Sequence, residues 1–229
     1  MNPEKSEFVQ VTYNIDTSQL DSVYGIQIND KIAFGTYADT LKHGYWKYYF
    51  SNNIIQSQGR YSYNLKQGWW QEYLSNGKLY CQGHFEKGNK NGWWEYYHVS
   101  GSIFQEGNYA LDKKTGFWKE LYLNGNTNTE TNYVDGNLEG DYKRYYENGK
   151  IWEEGIYLEG LKSGNWRQYD SLENLSTEIW YEKGKKSGFY NVYSNGLISI
   201  RGNYANDIKT GVWKYFNENG EIVLEKNEN

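Results

Sequence analysis

A glycine followed two residues later by a large aromatic recurs every 24 residues through most of this 229-residue chain. The pairs are Gly44/Trp46, Gly68/Trp70, Gly92/Trp94, Gly116/Trp118, Gly140/Tyr142, Gly164/Trp166 and Gly188/Tyr190; an eighth, Gly211/Trp213, arrives after 23. A period this long describes one supersecondary unit stacked on copies of itself. Such a unit cannot bury its apolar side alone, so stability comes from contacts between neighbours. Function is then expected on a surface rather than in a pocket.

With each glycine as position 0, position +5 is Tyr49, Tyr73, Tyr97, Leu121, Tyr145, Tyr169, Tyr193 and Phe216. Positions +8 and +9 are Asn-Gly in several copies, such as Asn76-Gly77 and Asn148-Gly149. Asn-Gly between alternating segments predicts a two-residue type I′ hairpin turn. Position +11 is mostly aliphatic, +15 mostly glycine, +17 aromatic, and +20 a turn former that predicts a longer connection. In this register Trp at +2 faces glycine at +15, and glycine at 0 faces the aromatic at +17. Each ring is expected to lie over the glycine opposite it. The core face is then Trp46, Ile55 and Tyr61 in one copy, and Trp70, Leu79 and Phe85 in the next. The fold class is all-β: an elongated repeat protein of stacked antiparallel β-hairpins forming a long twisted single sheet.

Aromatics make up 19% of the residues while mean hydropathy is only −0.95. Large rings among polar residues suit strands, and 25 glycines suit the turns between them. Residues 1–34 lack the glycine–aromatic spacing and read as an N-terminal cap. The repeat domain runs over 35–225, and 226–229 form a polar tail.

The net charge of −5 argues against nucleic acid and against an anionic membrane as partner. Cys81 is the lone cysteine, which rules out an intrachain disulfide. His43, His84 and His98 have no metal-ligand spacing. Glu153 and Glu154 are adjacent and point to opposite faces of a strand, so they form no carboxylate pair. No P-loop or nucleophile elbow is present. We therefore expect no enzyme, no catalytic residue, no metal and no cofactor. The opening Met1-Asn2-Pro3-Glu4 is unlike a signal peptide and suggests the cytoplasm.

The face opposite the core carries polar residues at +3 and a varying row at +1. That row reads Tyr45, Trp69, Trp93 and Phe117, then Asp141 and Asn165, then Phe189 and Val212. These rings either fill space against neighbouring copies or form an exposed strip for a partner, as Trp and Tyr do at binding hot spots. The candidate partner-binding residues are Tyr45, Trp69, Trp93 and Phe117, with Tyr49, Tyr73 and Tyr97 extending the strip. Exposed sheet edges also allow self-association.

The pattern G-x-W-x-x-Y, Asn-Gly, G-x-Y and a closing Gly or Asn turn resembles the MORN-repeat variant family over roughly residues 35–225. It is especially similar to bacterial YwqK-family antitoxin-like proteins. The Tyr-Glu-Gly-Glu-Trp run of eukaryotic MORN repeats is missing. The resemblance implies stacked hairpins, a protein partner or an antitoxin or immunity-like role, and no catalytic residues. A carbohydrate or cell-surface binding module, using the exposed aromatics, is the alternative.

Overall fold

The computed structural model describes residues 8–9, 23–28 and 31–228, with side chains from Ala33 onward. Most of the expected cap and Asn229 of the tail lie outside the described residues. No described residue is helical. The protein is all-β, built from antiparallel hairpins in open, unclosed ladders. Two compact units divide after Lys113.

The first unit holds β1 (Phe8–Val9), β2 (Val23–Ile28), β3 (Lys31–Ala38), β4 (Leu41–Tyr49), β5 (Ile55–Ser62), β6 (Leu65–Tyr73), β7 (Leu79–Glu86), β8 (Asn89–Tyr97) and β9 (Ile103–Ala110). From β2 onward each pairs antiparallel with the strand before it. The second unit holds β10 (Lys113–Leu121), whose first residue falls before the division, and β11 (Thr127–Val134), β12 (Asn137–Tyr145), β13 (Ile151–Leu158) and β14 (Leu161–Tyr169). It continues with β15 (Leu175–Glu182), β16 (Lys185–Ser194), β17 (Leu197–Ala205), β18 (Ile208–Phe216) and β19 (Ile222–Glu228), again paired antiparallel in chain order.

The two turns of the repeat are the reverse of the expected ones. The Asn-Gly connection is a three-residue loop. The Gly77 amide donates to the Leu74 carbonyl and the Leu74 amide to the Lys78 carbonyl, both at 2.8 Å. Only the glycine has positive φ, +84°. This is a type I turn closed by a left-handed residue, the usual three-residue hairpin. Asparagine is placed here for its side chain: Asn76 Oδ1 accepts the Lys78 amide at 3.1 Å. The tight two-residue turn sits at the other end of the unit, where Lys87 and Gly88 have φ of 49° and 89°. Only the 23-residue copy uses its Asn-Gly as a two-residue turn, with Asn195 and Gly196 at 51° and 78° and Ser194 paired to Leu197. Its missing residue is the third loop position.

The extra loop residue is offset by a register shift just after it, so Trp46 does pair with Gly59 and Trp70 with Gly83. The shift moves +11 to the other face. Ile55 pairs with Tyr49 and Leu79 with Tyr73, away from the tryptophans with which they were expected to pack.

Trp46, Trp70 and Trp94 in the first unit, and Trp118, Trp166 and Trp213 in the second, are at most 2% exposed. Trp46, Trp70, Trp94, Trp166 and Trp213 each lean back over a glycine of the hairpin that precedes them. A Cβ built on Gly59 would lie 2.3 Å from Trp70 Cδ2, and one on Gly83 equally close to Trp94 Cδ2. The indole N–H confirms the direction: Trp70 Nε1 donates to the Arg60 carbonyl at 3.0 Å and Trp94 Nε1 to the His84 carbonyl at 3.1 Å. The tryptophan therefore staples successive hairpins, where the sequence had suggested that it covers the glycine of its own.

Glycine at position 0 has another cause. A Cβ on Gly68 would meet nothing within 4 Å, yet its φ is +71°. Between β5 and β6 the register jumps from Gly59/Trp70 to Arg60/Gln67, leaving Gly68 and Trp69 as a bulge. Left-handed backbone in a bulge selects glycine. No ring at +17 rests on it. Those rings stand edge-on between tryptophans: Tyr61 lies 6.1 Å from Trp46 and 5.1 Å from Trp70, at 84° to both. Edge-to-face aromatic contact adds about 0.5–1.5 kcal/mol beyond area burial.

Candidate interaction surface

The bulge that demands glycine at 0 also aims the residue after it. Tyr45, Trp69 and Trp93, each directly following such a glycine, are 46%, 49% and 40% exposed in the first unit. Across each hairpin they pair with Arg60, His84 and Asn108. Consecutive rings are two strands apart, roughly 9.6 Å. Phe117 occupies the same position in the second unit and is 47% exposed. These rings open onto solvent instead of closing a second core.

Beside the row runs a polar ladder. Gln58 Nε2 donates to Gln71 Oε1 at 2.9 Å, Gln71 Nε2 to Gln82 Oε1 at 3.1 Å, and Gln82 Nε2 to Glu95 Oε2 at 2.8 Å. The +5 tyrosines belong to it. Tyr73 accepts from Gln58 Nε2 at 2.8 Å, and Tyr97 accepts from Gln82 Nε2 at 2.7 Å while donating to Glu95 at 2.6 Å. Burial, followed by the bond to Glu95, pushes the Tyr97 phenol up to about 12. Tyr49 packs edge-on against Phe34 at 5.7 Å. Tyr49, Tyr73 and Tyr97 thus share the strip's face as half-buried rings, and the hydroxyls of Tyr73 and Tyr97 are committed to the ladder.

In the second unit the face changes character. The ladder carries charge: Tyr145, Tyr169 and Tyr193 donate to Glu130, Glu154 and Glu178 at 2.7, 2.7 and 2.6 Å. Arg167 Nε bridges to Glu178 at 3.1 Å. Asp141 replaces the ring at +1, and an exposed ring appears instead at Trp180, 6.0 Å from Phe189. Trp180 was missed in the sequence because +16 is polar in most other copies.

A second row also escaped sequence reading. Two residues before each position-0 glycine stand Lys42, Lys66 and Lys90 in the first unit, and Lys114, Lys162, Lys186 and Lys209 in the second, with Leu138 the exception. Their ammonium groups sit over the +2 rings, at 4.4 Å from Trp70, 4.1 Å from Trp94 and 3.7 Å from Trp166. The stems roof the indoles, which is how tryptophan becomes buried in an open sheet. The 24-residue recurrence of lysine was the signal for it.

Three stretches match the MORN repeat variant family. They are residues 42–63, 138–159 and 209–227. Each MORN-variant match begins at the position of the lysine row, and the first and second end in the tight turn with its positive-φ pair. No curated protein matches the chain. Among solved structures it is similar to the wild-type TCP10 domain of Danio rerio CPAP, determined with a peptide of Danio rerio STIL. The identity is 10% over 93% of this chain and 98% of that one, with a TM-score of 0.27.

Proposed function

We propose that this chain is a non-catalytic repeat scaffold that binds a protein through the +1 aromatic row. The observation that carries the reading is the display of Tyr45, Trp69 and Trp93 on successive bulges of one face, each at least 40% exposed. Bulges re-aim side chains, and exposed aromatic clusters mark interaction sites. Trp and Tyr anchor protein interfaces at small entropic cost. Phe117 supplies the equivalent anchor in the second unit. An antitoxin or immunity-like role is one form such binding takes, and the family resemblance motivates it.

The polar ladder favours a protein over a glycan. Gln58, Gln71 and Gln82 spend their amide groups on one another, on tyrosine and on Glu95. Sugar recognition needs free hydrogen-bonding groups beside the rings, and the amides of this ladder are already engaged. The test compares proteins captured by the native chain and by a Trp69→Ser/Trp93→Ser variant. A partner retained by the first and lost by the second, with an unchanged far-UV spectrum, supports the proposal. Equal capture, or unfolding of the variant, overturns it. Glycan binding without any protein partner would favour the carbohydrate reading.

A further inference from the structure

The tryptophan face of the first unit holds an open groove of about 480 Å³, lined by Lys42, Tyr48, Tyr61, Lys66, Trp70 and Tyr80 among others. Its two lysines differ. Lys66 is paired with Glu72 at 3.4 Å. Among the described residues Lys42 has no carboxylate partner; its Nζ donates to the Tyr48 hydroxyl at 2.7 Å and lies 4.9–5.4 Å from the rings of Trp46, Tyr48 and Tyr61. Aromatic faces attract the cation without neutralising it.

The hydrogen bonds run in one direction from that ammonium. Tyr48, its oxygen occupied by Lys42, donates to the Tyr61 hydroxyl at 3.1 Å. The Tyr61 proton finds no acceptor among the described residues. A chain that starts at a cation and ends in a free O–H is polarised toward an anion, because each bond strengthens the next. A Lys–Tyr–Tyr cluster also occurs two copies on, where Lys90 Nζ donates to the Tyr96 hydroxyl at 2.8 Å and the Tyr96 and Tyr109 hydroxyls lie 3.0 Å apart, but there Tyr109 makes a further interaction. In the copy between them Glu72 and Phe85 stand in the corresponding places and no relay forms.

We propose that the groove binds a carboxylate carried on an apolar or aromatic body, with the Tyr61 hydroxyl donating to it. A single unpaired cation matches one negative charge, and the nearby Glu72 carboxylate opposes a dianion such as phosphate. The 40%-exposed Tyr80 offers ring surface to the body of the ligand. Partial burial of Lys42 lowers its pKa. The carboxylate belongs to a free organic acid or to an acidic side chain of a bound peptide.

Calorimetric titration of the full chain with phenylacetate tests the first source, and with a Gly-flanked Glu peptide the second. Saturable binding of at least one probe is expected. It should weaken at least about tenfold in Tyr61→Phe, which keeps the ring and removes the donor. Phenylacetamide should bind at least about tenfold more weakly than phenylacetate when the free acid is the ligand. Peptide binding alone, lost in Tyr61→Phe, assigns the site to a partner's side chain. Tyr109→Phe and Trp69→Ser/Trp93→Ser should leave binding unchanged, which separates this site from the aromatic row on the opposite face. Equal affinity of Tyr61→Phe and native protein, or no saturable binding of either probe, overturns the proposal.

Discussion

Gly59 lies beneath the indole of Trp70, one hairpin further along the chain, so closely that a methyl group on the glycine would sit 2.3 Å from the ring. The same contact joins Gly35 to Trp46, Gly83 to Trp94, Gly155 to Trp166 and Gly202 to Trp213. Where the receiving residue is Thr131 or Ile179, the following copy carries Tyr142 or Tyr190 instead of tryptophan. The glycine and the next indole are two halves of one joint.

Gly59→Ala should therefore cost about 3 kcal/mol or more, the upper end of overpacking. Adding Trp70→Tyr should restore part of the loss, since the chain itself joins non-glycine residues to tyrosine. Chemical denaturation of both single variants and the double variant measures the coupling. Additive losses would contradict the joint.

Gly68→Ala tests the other class of glycine. There is open space for a methyl group, but φ is +71°. The expected loss is about 1–2 kcal/mol, the left-handed penalty of an L-residue. No substitution at Trp70 should relieve it. Thermal melts of Gly68→Ala with and without Trp70→Tyr would show this independence.

Cys81 should be inert in the folded protein. It is 1% exposed, and burial, followed by the neighbouring Glu72 carboxylate, pushes its thiol up to about 12. The thiolate is the reactive form. Iodoacetamide at mildly alkaline pH should label it only after denaturation, as mass spectrometry would reveal.

Glu95 makes the ladder sensitive to acid. Its carboxyl is held below the usual range by hydrogen bonds, first from Tyr97 and then from Gln82 and Trp93. A depressed folded-state pKa contributes stability that is complete above the unfolded value, about 4.3, and lost as pH falls through the folded value. Glu95→Gln should flatten the fall in stability between about pH 5 and pH 3. The effect should stay under about 1 kcal/mol, because the group is partly solvated. Denaturation midpoints measured across that range for both proteins provide the check.

Much of this architecture was legible in the repeat itself. The 24-residue beat gave the hairpins, the Trp46/Gly59 register and the placement of the +2 and +1 rings on opposite faces, while leaving open whether the +1 rings were packed or exposed. The direction of the staple was also encoded, because Trp118 shares a hairpin with Thr131 and Tyr142 with Gly155, which violates pairing within a hairpin. Turn assignment failed because Asn-Gly suits two loop geometries, and a three-residue loop followed by a bulge restores the register of a two-residue turn.

The sequence by itself determined the strand class, the repeat length and the ring that each copy buries, since these follow from local periodicity and composition. Only the tertiary structure decided what each glycine is for. Gly59 yields to a ring from the next hairpin, and Gly68 adopts a backbone angle that L-residues avoid; both look alike in sequence. It also decided that Lys42, Tyr48 and Tyr61 converge, because their contact depends on which strands lie side by side and in what register. Local pattern fixes the faces of a strand, whereas the meeting of side chains from two strands is set by the pairing between them.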